Sequence, residues 1–148
     1  ELTQKVIDLF LVQASEQRVD IDFKVNEPIP MVLVDPQRME QVIGNIVANS
    51  LRYIPGAGKI QIELGSEGEN MVLSISDNGP GVPEDELPYL FTRFWRSEKS
   101  RARATGGAGL GLTIARQLVE AQGGKIEAGT GSEGGLRITI RLPVEKKA

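Results

Sequence analysis

Three short stretches of this 148-residue chain combine residue types that can do chemistry, and each also has a purely structural reading. Asn45 and Asn49 are four residues apart, so on a helix they share a face. At about 100° per residue, Arg38 and Arg52 join them in one polar stripe beside an apolar one. Asparagine is a poor helix former, so the pair is either satisfied locally and by solvent or present for its amide oxygens. Magnesium takes such oxygens while keeping several waters and the phosphates of a substrate. The run Asp77-Asn78-Gly79-Pro80-Gly81 follows an alternating apolar segment. It reads as an ordinary turn, for which Asn-Gly is favoured. It also reads as a strand-end carboxylate placed to accept a hydrogen bond from the amino group of a base. When buried, a bond of that kind contributes on the order of 1.5–3 kcal/mol. The third stretch, Gly106-Gly107-Ala108-Gly109-Leu110-Gly111-Leu112, stands directly before a helical pattern. Glycines let backbone N–H groups approach phosphate oxygens, and a helix N-terminus adds positive potential. A flexible hinge is the alternative. The stretch is not a Walker loop, which needs Lys where Leu112 stands. Nor does it follow a strand, as a dinucleotide fingerprint must.

The elements that must position these residues follow from hydrophobic period. Residues 2–14 place Leu2, Val6, Leu9 and Phe10 around a helical face. Val19–Val25 alternates apolar and polar as a half-buried strand. Met31–Val34 is a short apolar run. Asp35-Pro36 can cap and open a helix, with Met39, Val42, Ile43, Ile46 and Val47 on its apolar side and Tyr53–Gly56 as its end. Ile60, Ile62 and Leu64, then Met71, Leu73 and Ile75, predict a hairpin turning at Ser66–Asn70. A short helix is expected after Pro83, with Leu87, Leu90, Phe91 and Phe94 as core residues rather than ligand contacts. Ser97–Ala108 is small, basic and without period, which predicts a mobile segment. In it, Lys99, Arg101 and Arg103 read as solvated. Gly109–Gln122 reads as a further long helix stopped by Gly123-Gly124. Ile126, and then Leu136, Ile138, Ile140 and Leu142, indicate two last strands. The fold class expected from this mixture is α+β, a layered sandwich of helices on a largely antiparallel sheet.

Composition narrows the chemistry. With 40% apolar and 25% charged residues the chain reads as one soluble globular domain, long enough to bury a core. There is no cysteine, which excludes disulfides, thiolate metal sites and a thiol nucleophile. There is no histidine, which removes the commonest general base and any imidazole-based triad. A net charge of −3 gives no reason to expect nucleic acid as a partner. No apolar run is long enough to span a bilayer, and the opening residues lack a signal-peptide pattern. They read as the middle of a helix, which predicts a piece of a longer polypeptide.

The order of the three stretches resembles one family. Asn45-Ile46-Val47-Ala48-Asn49-Ser50-Leu51-Arg52-Tyr53 resembles the N box of sensor histidine kinases, and Asp77–Gly81 their first glycine box. Leu90-Phe91-Thr92-Arg93-Phe94-Trp95-Arg96 resembles the F box, and Gly107–Leu112 the second glycine box. The resemblance runs from about residue 5 to residue 143 and extends to the ATPases of the gyrase, chaperone and mismatch-repair type. It implies a two-layer α/β sandwich in which a mixed, mainly antiparallel sheet packs on three helices. Residues 1–148 would form one catalytic ATP-binding domain with a mobile lid at about 97–108.

The family's roles carry over residue by residue. Asn49, helped by Asn45, would ligate magnesium, and Arg52 would reach the phosphates of ATP. Tyr53 would lie against the adenine and Asp77 would accept from its amino group, with Gly79 and Gly81 keeping the pocket open. Arg96 would meet the terminal phosphate in catalysis beside Asn45. Gly107, Gly109, Leu110, Gly111 and Leu112 would close over the phosphates. The implied partners are ATP, a histidine-bearing dimerisation domain and a downstream response regulator. The implied setting is cytoplasmic, a domain monomeric by itself in a homodimeric parent that can be membrane-anchored.

Departures from the pattern are Ala108 for a hydroxyl residue, Ser50 for alanine and Ile54 for threonine or serine. Gln122 replaces a histidine, and Leu136 stands where a glycine-threonine pair normally ends. Two related activities fit less well. Dedicated ATPases of this superfamily carry Glu where Asn45 stands, and an amide cannot act as that base. Stand-alone serine kinases of the same superfamily usually lack the F box. A nucleotide-sensing module without transfer is the non-enzymatic alternative.

Overall fold

The computed structural model describes residues 18–26, 36–53, 58–79, 111–131 and 134–143, together with Asp8, Asp85, Leu87 and Phe91. Within them lie strand β1 (Val19–Val25), helix α1 (Pro36–Tyr53), β2 (Gly58–Glu67), β3 (Asn70–Asp77), helix α2 (Gly111–Ala121), β4 (Lys125–Thr130) and β5 (Leu136–Pro143). The five strands form one sheet in the order β1-β2-β3-β5-β4. β1 runs parallel to β2, and every other pairing is antiparallel. The expected mixed, mainly antiparallel sheet is thus observed.

Alternation decides which face of the sheet is buried. Register places Ile62 opposite Ile75 and Ile75 opposite Ile138, while Leu64, Leu73 and Ile140 form the next row. Because successive side chains in a strand point to opposite faces, these residues share one face. They merge into a single core with Met39, Val42, Ile43, Ile46, Val47 and Leu51 of α1 and Leu112, Ala115 and Val119 of α2. The opposite face carries polar residues. Its ion pairs, such as Lys59–Asp22 at 3.1 Å and Arg141–Glu127 at 3.2 Å, are partly exposed and contribute little. Ile75 sits in the middle strand and is almost fully buried. Ile75→Ala is therefore expected to cost about 2–5 kcal/mol of stability. In urea unfolding this appears as a lower midpoint at unchanged slope. A loss below about 1 kcal/mol would contradict its place at the centre of the core.

The helix boundaries have local causes. Pro36 opens α1, where its missing N–H removes nothing that the first turn could use. The expected stop of α2 is a Schellman turn. Gly124 N–H donates to the Val119 carbonyl and Gly123 N–H to the Glu120 carbonyl, both at 3.0 Å. Gly123 takes the left-handed conformation this requires, with φ +80°.

Some expectations are adjusted. The hairpin turn is tighter than Ser66–Asn70, since Glu67 pairs with Asn70 and only Gly68 and Glu69 lie between the strands. Three helices were expected to back the sheet, and two stand among the described residues. Residues 2–14, apart from Asp8, and most of the short helix expected after Pro83 lie outside the described residues. Leu87 and Phe91 are described, and both pack on the core as expected.

Candidate functional site

Asp77 ends β3 and pairs with Ile60 on β2, so its side chain points to the same side of the sheet as Ile75. It is a carboxylate only 9% exposed at the rim of an apolar core. Two backbone donors hold it. Gly79 N–H reaches Asp77 Oδ1 at 3.0 Å, and Leu136 N–H reaches the same oxygen at 3.2 Å. The turn reading accounts for one of these two bonds and not for the other. The bond to Gly79 is the local turn of an aspartate two residues back, while the bond to Leu136 comes from the start of β5, 59 residues away. Charge-assisted bonds of this kind are stronger than neutral ones and compensate the burial of the charge. Among the described residues no donor is bonded to Oδ2 and no cation is paired with Asp77.

Asn78 has a different task. Its Oδ1 accepts Lys59 N–H at 2.7 Å, and its own N–H donates to the Lys59 carbonyl at 3.2 Å. This side chain staples the strand end to β2 and is structural.

Asn45 and Asn49 lie one turn apart on α1, both half-buried, next to the fully buried Ile46 and Val47. An amide face at the edge of a core, neither solvated nor sealed, suits oxygen ligation of a hard cation shared with phosphates. The donor set fits magnesium in its chemistry. Arg52 and Tyr53 close the last turn of the same helix. Gly111 is the first residue of α2, and Leu112 buries its side chain in the core, which leaves only backbone at the surface of that first helical turn. That turn is tied down by Thr113, whose buried hydroxyl donates to the Phe91 carbonyl at 3.0 Å. Gln122 bridges the two helices. Its amide reaches the Leu118 carbonyl at 3.0 Å and the Met39 sulfur at 3.5 Å. Gly81, Arg96, Gly107, Gly109, Leu110 and the whole expected lid, 97–108, lie outside the described residues.

The sequence reading missed the turn between β4 and β5. Gly131 N–H donates to the Gly135 carbonyl at 2.6 Å and Gly134 N–H to the Gly131 carbonyl at 3.0 Å. This turn brings Gly135 and the Leu136 amide against Asp77. The glycine pair at 134 and 135 was the available signal, but nothing local shows what it faces.

Comparison with known proteins gives the family and the fold. Residues 34–146 match the family model described as histidine kinase-, DNA gyrase B-, and HSP90-like ATPase. The signal transduction histidine-protein kinase BaeS of Escherichia coli (strain K12) is 44% identical over 115 residues, covering 78% of this chain and 25% of BaeS. The chain spans about a quarter of the length of such curated relatives. Full-length ShkA solved in complex with AMPPNP superposes with a TM-score of 0.85 at 28% identity, over 99% of this chain and 30% of that one. Histidine kinase ThkA, solved in complex with the response regulator protein TrrA, gives 0.80 at 26% identity, over 97% of this chain and 40% of ThkA. With a family model spanning most of its length and a relative at 44% identity, the chain belongs to the histidine kinase-, DNA gyrase B- and HSP90-like ATPase family.

Proposed function

We propose that residues 1–148 are the ATP-binding catalytic domain of a two-component sensor histidine kinase, which passes the γ-phosphate of ATP to a histidine on a separate dimerisation domain. The observation that carries the nucleotide reading is the Asp77 carboxylate, buried, fixed through Oδ1 by two backbone amides and left with Oδ2 for an exocyclic amine. Adenine presents such an amine, whereas guanine presents a carbonyl at that position. Asn49 and Asn45 supply amide oxygens to magnesium, which when bound neutralises phosphate charge. Arg52 and Arg96 bind phosphate oxygens, Tyr53 covers the base, and Gly79 and Gly81 leave it room. Gly107, Gly109, Leu110, Gly111 and Leu112 offer backbone amides to the phosphates, with residues 97–108 as the lid.

The phosphoryl acceptor must come from another polypeptide segment, because this chain contains no histidine. AMPPNP on ShkA and TrrA on ThkA support ATP as substrate and a response regulator as the next acceptor. Among the described residues no helix is long and apolar enough to cross a membrane. We place the domain in the cytoplasm, monomeric alone and part of a homodimeric parent that can be membrane-anchored.

The same residues argue against steady hydrolysis. Asn45 cannot take a proton from water at pH 7, and the described residues offer no histidine or cysteine to replace it. The isolated chain is expected to bind ATP with magnesium yet release phosphate at a rate near that of buffer alone. A coupled phosphate assay measures this. Rapid steady turnover would place the chain with the hydrolysing branch of the family.

A further inference from the structure

The Asp77 carboxylate can be held from β5 only because position 135 has no side chain. A Cβ built on Gly135 would fall on the Asp77 carbonyl oxygen, 2.6 Å from its carbonyl carbon and 2.5 Å from Oδ1. Two of those atoms are backbone of a central strand, so they cannot swing aside as a side chain would. A residue larger than glycine must push the start of β5 away from the end of β3. The β3–β5 ladder ends at the pair Ser76–Arg137, and one step further the Leu136 N–H goes to the Asp77 side chain instead of a strand carbonyl. Displacing β5 therefore removes one of the two donors that orient the carboxylate.

We infer that Gly135 is a positioning residue for base selection: it lets the Leu136 amide saturate Asp77 Oδ1, so that Oδ2 alone faces the amino group of the nucleotide base. This deepens the nucleotide reading of Asp77 and rests on it. A carboxylate held by the Gly79 amide only is free to rotate about its terminal torsion, which is broad and roughly two-fold. The pocket then loses its preference for a donor at the base edge rather than its capacity to bind phosphates.

Glycines away from Asp77 provide the controls. Gly68, in the turn between β2 and β3 at the other end of β3, adopts φ +60° with nothing within 4 Å of a built Cβ, so Gly68→Ala strains the backbone without touching Asp77. Gly129 on β4 also has nothing within 4 Å of a built Cβ and accepts a methyl group in open space.

The test is calorimetric titration of the chain with ATP and with GTP in magnesium. The variants are Gly135→Ala, Gly68→Ala, Gly129→Ala, Asp77→Asn and the Gly135→Ala/Asp77→Asn pair. Gly135→Ala is expected to weaken ATP by about tenfold or more, the scale of one bond to a charged group, and to bring ATP and GTP close together. In the Asp77→Asn background the same change should have little further effect, because the partner it acts through is gone. Gly68→Ala should lower the melting temperature and keep the ATP-to-GTP ratio, and Gly129→Ala should keep both. A Gly135→Ala protein that folds and keeps the native ratio, or that loses ATP and GTP equally, overturns the assignment. If the native chain itself shows no preference for ATP, the adenine reading of Asp77 falls first and this inference with it. Should Gly135→Ala fail to fold, amide NMR of the native chain and of Asp77→Asn decides. The Leu136 and Gly79 amide protons are expected to move upfield together in Asp77→Asn, and an unmoved Leu136 resonance overturns the assignment.

Discussion

Asn49→Ala is expected to lower magnesium-dependent ATP affinity by roughly a hundredfold or more, since loss of a group that merely supports a metal ligand already costs up to about that much. The fold should survive. Asn49 is half-buried on the flank of α1, while the apolar side of that helix, Val42, Ile43, Ile46 and Val47, holds it to the sheet. A surface-flank truncation of this kind changes stability by about 1 kcal/mol or less. Calorimetry with and without magnesium separates the two contributions. The variant should resemble the native chain measured in chelator, and unchanged affinity in magnesium would remove Asn49 from the site. Asn45 lies one turn earlier on the same face, so Asn45→Ala should act in the same direction.

The second large effect belongs to Asp77→Asn. The native chain is expected to bind ATP at least tenfold more tightly than GTP, and the variant to lose most of that difference. The loss is selective because an amide accepts more weakly than a carboxylate, while the phosphate contacts remain. It also has a structural component. Oδ1 accepts two backbone N–H groups, so an asparagine keeps its oxygen there and turns its NH2 toward the ligand, donor facing donor. That arrangement favours a carbonyl at the base edge, and a partial gain in GTP affinity is the expected sign. Equal binding of ATP and GTP by the native chain would show that Asp77 does not read the base.

Much of this was legible in the sequence, for a physical reason in each case. Strand alternation is local, so Ile60-Ile62-Leu64, Leu73-Ile75 and Ile138-Ile140-Leu142 declared their buried faces directly. The helix signals Pro36 and Gly123-Gly124 act within one turn and stand where the sequence puts them. Asp77 was recognisable as a carboxylate at a strand end. What could not be read is how that carboxylate is held. The Leu136 amide comes from 59 residues away, and a backbone donor leaves no mark in the residue type. Gly135 looked like one more loop glycine because its cost is steric and its neighbour, the Asp77 backbone, is distant in sequence. The Gln122 amide near Met39 sulfur, 83 residues apart, was invisible for the same reason. The parallel pairing of β1 with β2 is likewise a property of the chain's return path, not of either strand's pattern.

The proposed reaction takes the γ-phosphate of ATP to a histidine that this chain does not itself carry. The direct measurement supplies γ-labelled ATP, magnesium and the native chain with a separate histidine-bearing helical domain from the parent protein, and follows label on both polypeptides. Label is expected on the helical domain alone, lost in mild acid and stable in base as a phosphohistidine is, absent when its histidine is replaced and absent with Asn49→Ala. Label that stays on this chain, or that resists acid on a serine or threonine, would contradict it.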